Sequence, residues 1–496
     1  MSKLIEKFVV LSDIESRIEP FLYKELSEEK YLIKEVDSID LLTWNRLDLA
    51  FKLFYLDMKR DNKKLAEEVY HFDIKSQTLG SFSEHGNRDK ITFDKYIQDF
   101  NSIYSSIRSK GFLSIKSLLP LSGNKTIRNG AHRLASAIQL KKEVVCVEIS
   151  SSDFIVDYNY YFDRDVPQNI IEMCVNKFIE YSNNVYLAFL WPSGRKMVDD
   201  SLSLFPNIVY SKEIQLTSKG GYNLLSELYK HMDWIGDEEN NYSGLNQKLV
   251  ECFTDFDKFT VIAFQEESLD KVQDIKTKVR DINGIGFSSI HITDTKEESV
   301  RISQLIFNKN GLHFLNYSNP YRYSNYYKEL DKLLSSFNGN IKKKDFIIDS
   351  SSVLTVYGIR KNHDIDLLFS DKNKSIPDLN IVSHDSELIF HKKTKTELLY
   401  DQRNFFIFLD YKYISFNQLY RMKKNRNESK DINDSLSMDA FVEDNSLQLF
   451  CTSVRQRLLY LKIKLRHDYY HYRVIIAKRI GLYKVLKRAY HKLLKD

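Results

Sequence analysis

Cysteine is scarce in this 496-residue chain. Cys146, Cys174, Cys252 and Cys451 lie far apart, with no C-x-x-C pair, which argues against a disulfide framework or a zinc site and makes a reducing cytoplasm the expected compartment. Proline and glycine are also few, 7 and 16, so low-complexity linkers are excluded and the domains are expected to pack on one another. No apolar run approaches the roughly 20 residues of a membrane-spanning helix. The short apolar stretch 8–11 is too brief for a secretory signal.

Net charge is +5, and it is unevenly placed. Thirteen Lys or Arg against two acids between 451 and 496 make that stretch +11 and leave −6 on residues 1–450. An acidic body argues against nonspecific nucleic-acid binding, which needs many cationic contacts to phosphate spread over a surface. With 43% hydrophobic and 13% aromatic residues the composition is globular, and the length fits three or four domains.

The expected class is α/β (α+β), multidomain. Ile14, Ile18, Phe21 and Leu22, then Leu47, Ala50, Phe51, Phe54 and Tyr55, are spaced for apolar helix faces and predict a helical cap over 1–70. Residues 71–165 read as a mixed domain with a polar loop at 81–87 and a helix over 93–110. In 166–335, apolar runs at 185–190, 259–264 and 288–293 alternate with helical patterns at 222–232 and 269–282, predicting an α/β layer. Residues 336–450 form a further domain and 451–496 a basic helical tail.

Two carboxylates, Asp364 and Asp366, stand two apart in His363-Asp364-Ile365-Asp366-Leu367-Leu368. On a strand they would leave the same face while Ile365 and Leu367 enter the core. Hard divalent cations are commonly held by one or two carboxylates plus substrate phosphates, so the pair predicts magnesium and a nucleotide. Ser350, Ser351 and Ser352 open a helical stretch that ends at Gly358, and small hydroxyl residues entering a helix can donate to a phosphate.

The order of a small-residue pair, short helix, Gly358-Ile359-Arg360 and Asp364-Ile365-Asp366 resembles the nucleotidyltransferase superfamily. The later Lys423…Arg426…Lys430-Asp431-Ile432-Asn433-Asp434 is similar to the helical element of one of its subtypes. The resemblance covers about 336–450. It implies a mixed-sheet domain, Mg2+, a nucleoside triphosphate such as ATP or CTP, phosphate contacts from Ser351, Ser352 and Lys423, and a catalytic role for Asp364, Asp366 and Arg360. The superfamily's third metal carboxylate would be Asp410, with Asp385, Glu387 and Asp401 as weaker alternatives.

A second motif is Gly130-Ala131-His132-Arg133, before an alanine-containing helix and the strand-like 143–149. A Gly that opens a helix, with His and Arg in the first turn, suits an anion. The plainer reading is that the two cationic types only cap the helix. Residues 90–150 resemble the ParB/sulfiredoxin-like fold, which implies nucleotide phosphate at Gly130, His132 and Arg133. Ala131 stands where a sulfiredoxin needs its reactive cysteine, which excludes sulfinic acid reduction.

Two smaller features remain. His291 alternates with apolar neighbours and so would face the other side of its strand, where a structural role is the plainer expectation and a place in a cleft the alternative. The tail has two amphipathic parts around Gly481; the second sets Leu482, Tyr483, Leu486, Ala489, Tyr490, Leu493 and Leu494 on one stripe with lysines and arginines elsewhere. Such a helix suits the surface of an anionic membrane, packing on the acidic body, or nucleic acid. The expected function is transfer of a nucleotidyl or phosphoryl group to a small hydroxylated acceptor, in the cytoplasm or at the inner face of a membrane, with a surface-polysaccharide or glycan precursor as the acceptor class. The alternative is a ParB-like DNA-associated or regulatory nucleotide-binding protein without transferase activity.

Overall fold

The computed structural model describes residues 6–83, 90–149, 152–237, 242–337, 341–370, 375–376, 381–442 and 446–484. Three four-stranded sheets organise the chain. The first holds β1 (Glu6–Val10), β2 (Lys30–Asp37), β3 (Leu119–Leu121) and β4 (Glu143–Glu148) in the order β1-β2-β4-β3, with β3 parallel to β4 and the other pairs antiparallel. The second is antiparallel throughout, in the order β6-β7-β5-β8, from β5 (Val185–Leu190), β6 (Ile208–Ile214), β7 (Phe259–Gln265) and β8 (Ile290–Ile292). The third is mixed. It contains β9 (Phe346–Asp349) and β10 (Asp366–Phe369), a separate ribbon of β11 (Ser375–Ile376) and β12 (Ile381–Val382) follows in the chain, and β13 (Phe405–Phe408) and β14 (Tyr411–Ile414) complete the order β10-β9-β14-β13.

The helical cap expected over 1–70 is corrected. Its first half supplies β1 and β2, and β2 pairs with β4 from Ile33↔Val147 to Asp37↔Glu143, so 1–70 and the following segment share one sheet. Of the apolar residues 14–22, Ile14 falls on a five-residue helix, Phe21 and Leu22 on a six-residue 3-10 helix and Ile18 on the bend between them, elements too short to form a cap. Elsewhere local chemistry explains the elements. The helix Phe93–Lys110 begins where the Thr92 side chain accepts from the Lys95 N–H and stops at Gly111, whose φ is +72°, both standard terminal devices.

The sheets do pack together. One continuous apolar core runs from Leu41 to Tyr460, with a smaller cluster on the other face of the second sheet and another around β1 and β2. A buried charge network also braces the N-terminal unit: Lys52 lies 3.2 Å from Asp48 and 2.8 Å from Asp73, while Arg46 clasps Asp48 at 2.9 Å. Burial would raise the Asp48 carboxyl, but Arg46 and Lys52 outweigh it and hold the group low.

The helix Ser446–Arg479 crosses to the second unit, where Tyr460 Oη donates to the Phe253 carbonyl at 2.6 Å. Beyond it the helix exposes Leu461, Leu465, Tyr469, Tyr470 and Ile476. Residues 485–496, with most of the second amphipathic stripe, lie outside the described residues. Among the described residues no helix is long and apolar enough to cross a membrane.

Candidate functional site

Phe346-Ile347-Ile348-Asp349 is an apolar strand with every residue buried, and it delivers a carboxylate at its end. Ser350 then turns the chain at φ +57°, and the helix Ser351–Val356 follows. The helix ends at Gly358, whose φ is +72° and where a Cβ would lie 2.7 Å from the Asn319 carbonyl oxygen, so a side chain there is both strained and obstructed. The chain returns antiparallel along β10, placing Asp366 directly opposite Asp349. Residues so paired on one face have Cβ atoms roughly 5 Å apart, and like charges there destabilise the ladder.

The two acids are treated differently. Asp349 is fully buried, and its Oδ2 lies 2.9 Å from His391 Nε2. Burial would raise its carboxyl, but His391 and the Ser350 N–H bring it below its ordinary value. Gln418 fixes the ring by donating from Nε2 to the His391 carbonyl at 2.8 Å, with the same nitrogen 3.3 Å from Nδ1.

Asp366 keeps 21% of its side chain exposed, and His384 Nδ1 is 3.9 Å from its Oδ1, too far for a hydrogen bond. Burial lifts the Asp366 carboxyl above its ordinary value; His384 opposes the rise, and Asp364 and Asp349 add to it. Asp364 is exposed and precedes β10 in a bend, not on the strand itself. Its loop is tied down from behind: Asn362 Nδ2 donates to the Asp364 carbonyl at 3.0 Å, and Thr355 Oγ1 donates to Asn362 Oδ1 at 3.3 Å.

Several expected roles are corrected. Arg360 is clasped by Asp434 at 2.6 and 2.8 Å, which pushes its pKa up through that bond and makes it an anchor for the loop, not a free phosphate donor. Lys423 is buried between Asp431 at 3.0 Å and Asp434 at 2.8 Å; two carboxylates already satisfy its charge. Ser352 is fully enclosed, while Ser351 is buried with its Oγ 3.4 Å from the Asp364 carbonyl. Asp410 sits in the β13–β14 turn at φ +64°. Because β14 runs parallel to β9 with Tyr413 opposite Ile348, Asp410 is at the other end of the sheet from Asp349 and Asp366, 3.2 Å from Lys343. It cannot complete a metal site with them.

The weaker alternatives also have partners, Asp385 with Lys395, Asp401 with Arg403 and Glu387 with Arg426. Glu387 still approaches the site, with Oε1 3.8 Å from His384 Nε2. The sequence reading missed Asp349, His384 and His391. The acid ending the run 346–349 was the only local signal, because both histidines arrive from more than thirty residues downstream.

The Gly130 box forms but is closed. Gly130 has φ +90°, and a Cβ there would meet Leu119 at 2.5 Å and the Arg133 guanidinium at 2.8 Å, because that side chain folds back over the helix start. Arg133 Nη2 lies 2.7 Å from Glu19, Arg128 lies 3.0 Å from Glu25, and these carboxylates take the place expected for phosphate. His132 is corrected: it lies 2.7 Å from Tyr70 Oη and packs edge-on against Phe100, and burial drives its pKa well down, so this half-buried ring is engaged by the aromatic cluster.

Among the described residues no three His, Cys, Asp or Glu side chains form a group able to hold a metal ion. Asp364 and Asp366 do not share a strand face as the sequence implied, since Asp364 lies in the bend before β10, but the Asp364 charge is near enough to raise the Asp366 carboxyl, and carboxylate oxygens are the donor type magnesium takes beside a substrate's phosphates. No family model, curated protein or solved structure matches the chain.

Proposed function

We propose that this chain is a magnesium-dependent nucleotidyl- or phosphoryl-transferase that acts on a small hydroxylated acceptor, with Asp364 and Asp366 as the residues that hold the ion. The observation that carries the reading is the opposition of Asp366 and Asp349 at one end of β10 and β9, with Asp364 close by. Concentrated negative charge of this kind costs stability in the free protein and is relieved by a cation. When bound, magnesium supplies neutralisation of the phosphate oxygens of ATP or CTP.

The other residues position. His391 bonds Asp349, and Gln418 in turn bonds His391. Arg360, fixed by Asp434, and Asn362 set the loop that presents Asp364. His384 stands beside Asp366 and is of a type suited to exchange a proton with an acceptor hydroxyl. The exposed stripe Leu458, Leu461 and Leu465, set among Lys462, Lys464 and Arg466, supports an anionic membrane surface as partner.

The test is product analysis with ATP or CTP, magnesium and a panel of sugars, polyols and amino alcohols. Pyrophosphate release with a nucleotidylated acceptor marks nucleotidyl transfer; nucleoside diphosphate with a phosphorylated acceptor marks phosphoryl transfer. Both should disappear in Asp364→Asn and in Asp366→Asn. Turnover that survives both substitutions contradicts the assignment.

A further inference from the structure

A cavity of about 780 Å³ opens beside β8, between the helices Ser218–Tyr229, Leu269–Asn283 and Lys296–Ile306. That size falls in the range of small-molecule sites. At its floor His291 is only 7% exposed, with Nδ1 3.2 Å from Tyr229 Oη and Nε2 3.4 Å from Glu298 Oε1. Glu298 is held in place because its Oε2 accepts the Asp294 N–H at 2.9 Å. A histidine whose Nε2 has no hydrogen-bond partner among the described residues and a carboxylate thus lie side by side under an opening.

At the mouth two aromatic rings remain in water, Trp234 at 51% and Phe287 at 72% exposure. Such rings offer flat faces to a planar partner. Trp234 leans on Tyr229 with ring centres 5.6 Å apart, and the Arg280 guanidinium sits 4.4 Å over Phe287. Lys248 reaches the same ring's backbone, donating to the Phe287 carbonyl at 2.8 Å.

The lining carries four acids, Asp294, Glu297, Glu298 and Asp410, and its cations are unequally satisfied. Lys276 is paired with Asp294 at 3.3 Å and Arg301 with Glu227 at 2.7 Å. Among the described residues neither Arg280 nor Lys248 makes an ion pair, and Arg280 Nε is buried without a hydrogen-bond partner. The Arg280 guanidinium, partly exposed and stacked on Phe287, with a buried Nε that donates to nothing among the described residues, is available to an anion.

We propose that this cavity binds a small molecule in which a planar ring carries an anionic group. The ring lies against Trp234 and Phe287, the anion meets Arg280 and Lys248, and His291 with Glu298 receives a hydroxyl or ring nitrogen at the floor. A nucleoside monophosphate and an aromatic carboxylate share this chemistry. The site is distinct from the Asp364 and Asp366 pair and does not require magnesium.

The test is isothermal titration calorimetry on the full chain in EDTA, with adenosine monophosphate and 4-hydroxybenzoate as probes and with adenosine and inorganic phosphate as the ring-only and anion-only controls. One of the two probes is expected to bind at least tenfold more tightly than its control, and which one does so identifies the source. Arg280→Gln and Trp234→Ala, each checked for an unchanged melting profile, should weaken that binding at least tenfold. Arg280→Lys should weaken it less than Arg280→Gln, and Asp366→Asn should leave it unchanged. The proposal is overturned if neither probe binds, if Arg280→Gln binds as the natural chain does, or if Asp366→Asn abolishes binding.

Discussion

Asp366 on β10 faces Asp349 on β9 directly across the ladder, and His391, not solvent, is the partner of one of them. The pair is therefore asymmetric. One carboxylate is locked into the scaffold, and the other is left at the surface with a raised affinity for its proton.

That asymmetry fixes a pH dependence. Since the folded chain holds the Asp366 proton to higher pH than the unfolded one, its contribution to stability is complete below the ordinary value of 3.8 and is lost as pH rises through the raised folded value. Asp366→Asn removes the loss. Urea unfolding at pH 7 should show the variant more stable by roughly 0.2–1 kcal/mol, with the difference closing at acidic pH. Equal or lower stability at pH 7 contradicts the account.

For Asp349 the sign is opposite. Its carboxyl is lowered in the folded chain, so its contribution is present above 3.8 and is lost as pH falls through the folded value. His391→Ala leaves that acid buried without its partner and should cost roughly 3–5 kcal/mol at neutral pH. His391→Gln, which can still donate, should recover part of the loss in the same denaturation experiment.

Lys52 is fully buried between Asp48 and Asp73, and Tyr161 Oη donates to Asp73 at 2.7 Å. Lys52→Met should destabilise the chain by roughly 3–5 kcal/mol, because it strands two acids that only Arg46 and hydrogen bonds then serve. Melting of the variant within one degree of the natural chain would mean that the network is not closed in this way.

The terminal helix is anchored through Tyr460, and Gln456 Nε2 donates to the Asn316 carbonyl at 3.0 Å. Removing residues 462–496 should therefore leave the melting temperature nearly unchanged. It should abolish sedimentation with vesicles rich in phosphatidylserine, and salt should weaken that binding in the natural chain, since each Lys or Arg near such a surface contributes about 1 kcal/mol. Salt-independent binding, or binding that survives truncation, contradicts a role for the tail.

Local patterns were legible where the physics is local. The apolar runs 185–190 and 259–264 became β5 and β7, the helix over 93–110 has those bounds, and the chain around Gly358 turns where glycine was needed. Strand β2 was hidden because its pairing partner β4 lies more than a hundred residues away and Lys30-Tyr31-Leu32-Ile33-Lys34-Glu35 carries charge on both faces. The site was half visible. Asp364 and Asp366 announce themselves by spacing, but spacing does not reveal that Asp434 had already claimed Arg360, or that strand direction carries Asp410 to the far end of the sheet.

The most direct measurement is thermal unfolding of the natural chain and of Asp366→Asn with ATP and CTP, each with and without magnesium. One nucleotide should raise the melting temperature of the natural chain only when magnesium is present, by an amount that grows with saturation to about 2.7 kcal/mol at a hundredfold excess over Kd, and Asp366→Asn should show no such rise. A nucleotide shift that ignores magnesium, or one that Asp366→Asn retains in full, would contradict the assignment of these carboxylates to a metal–nucleotide site.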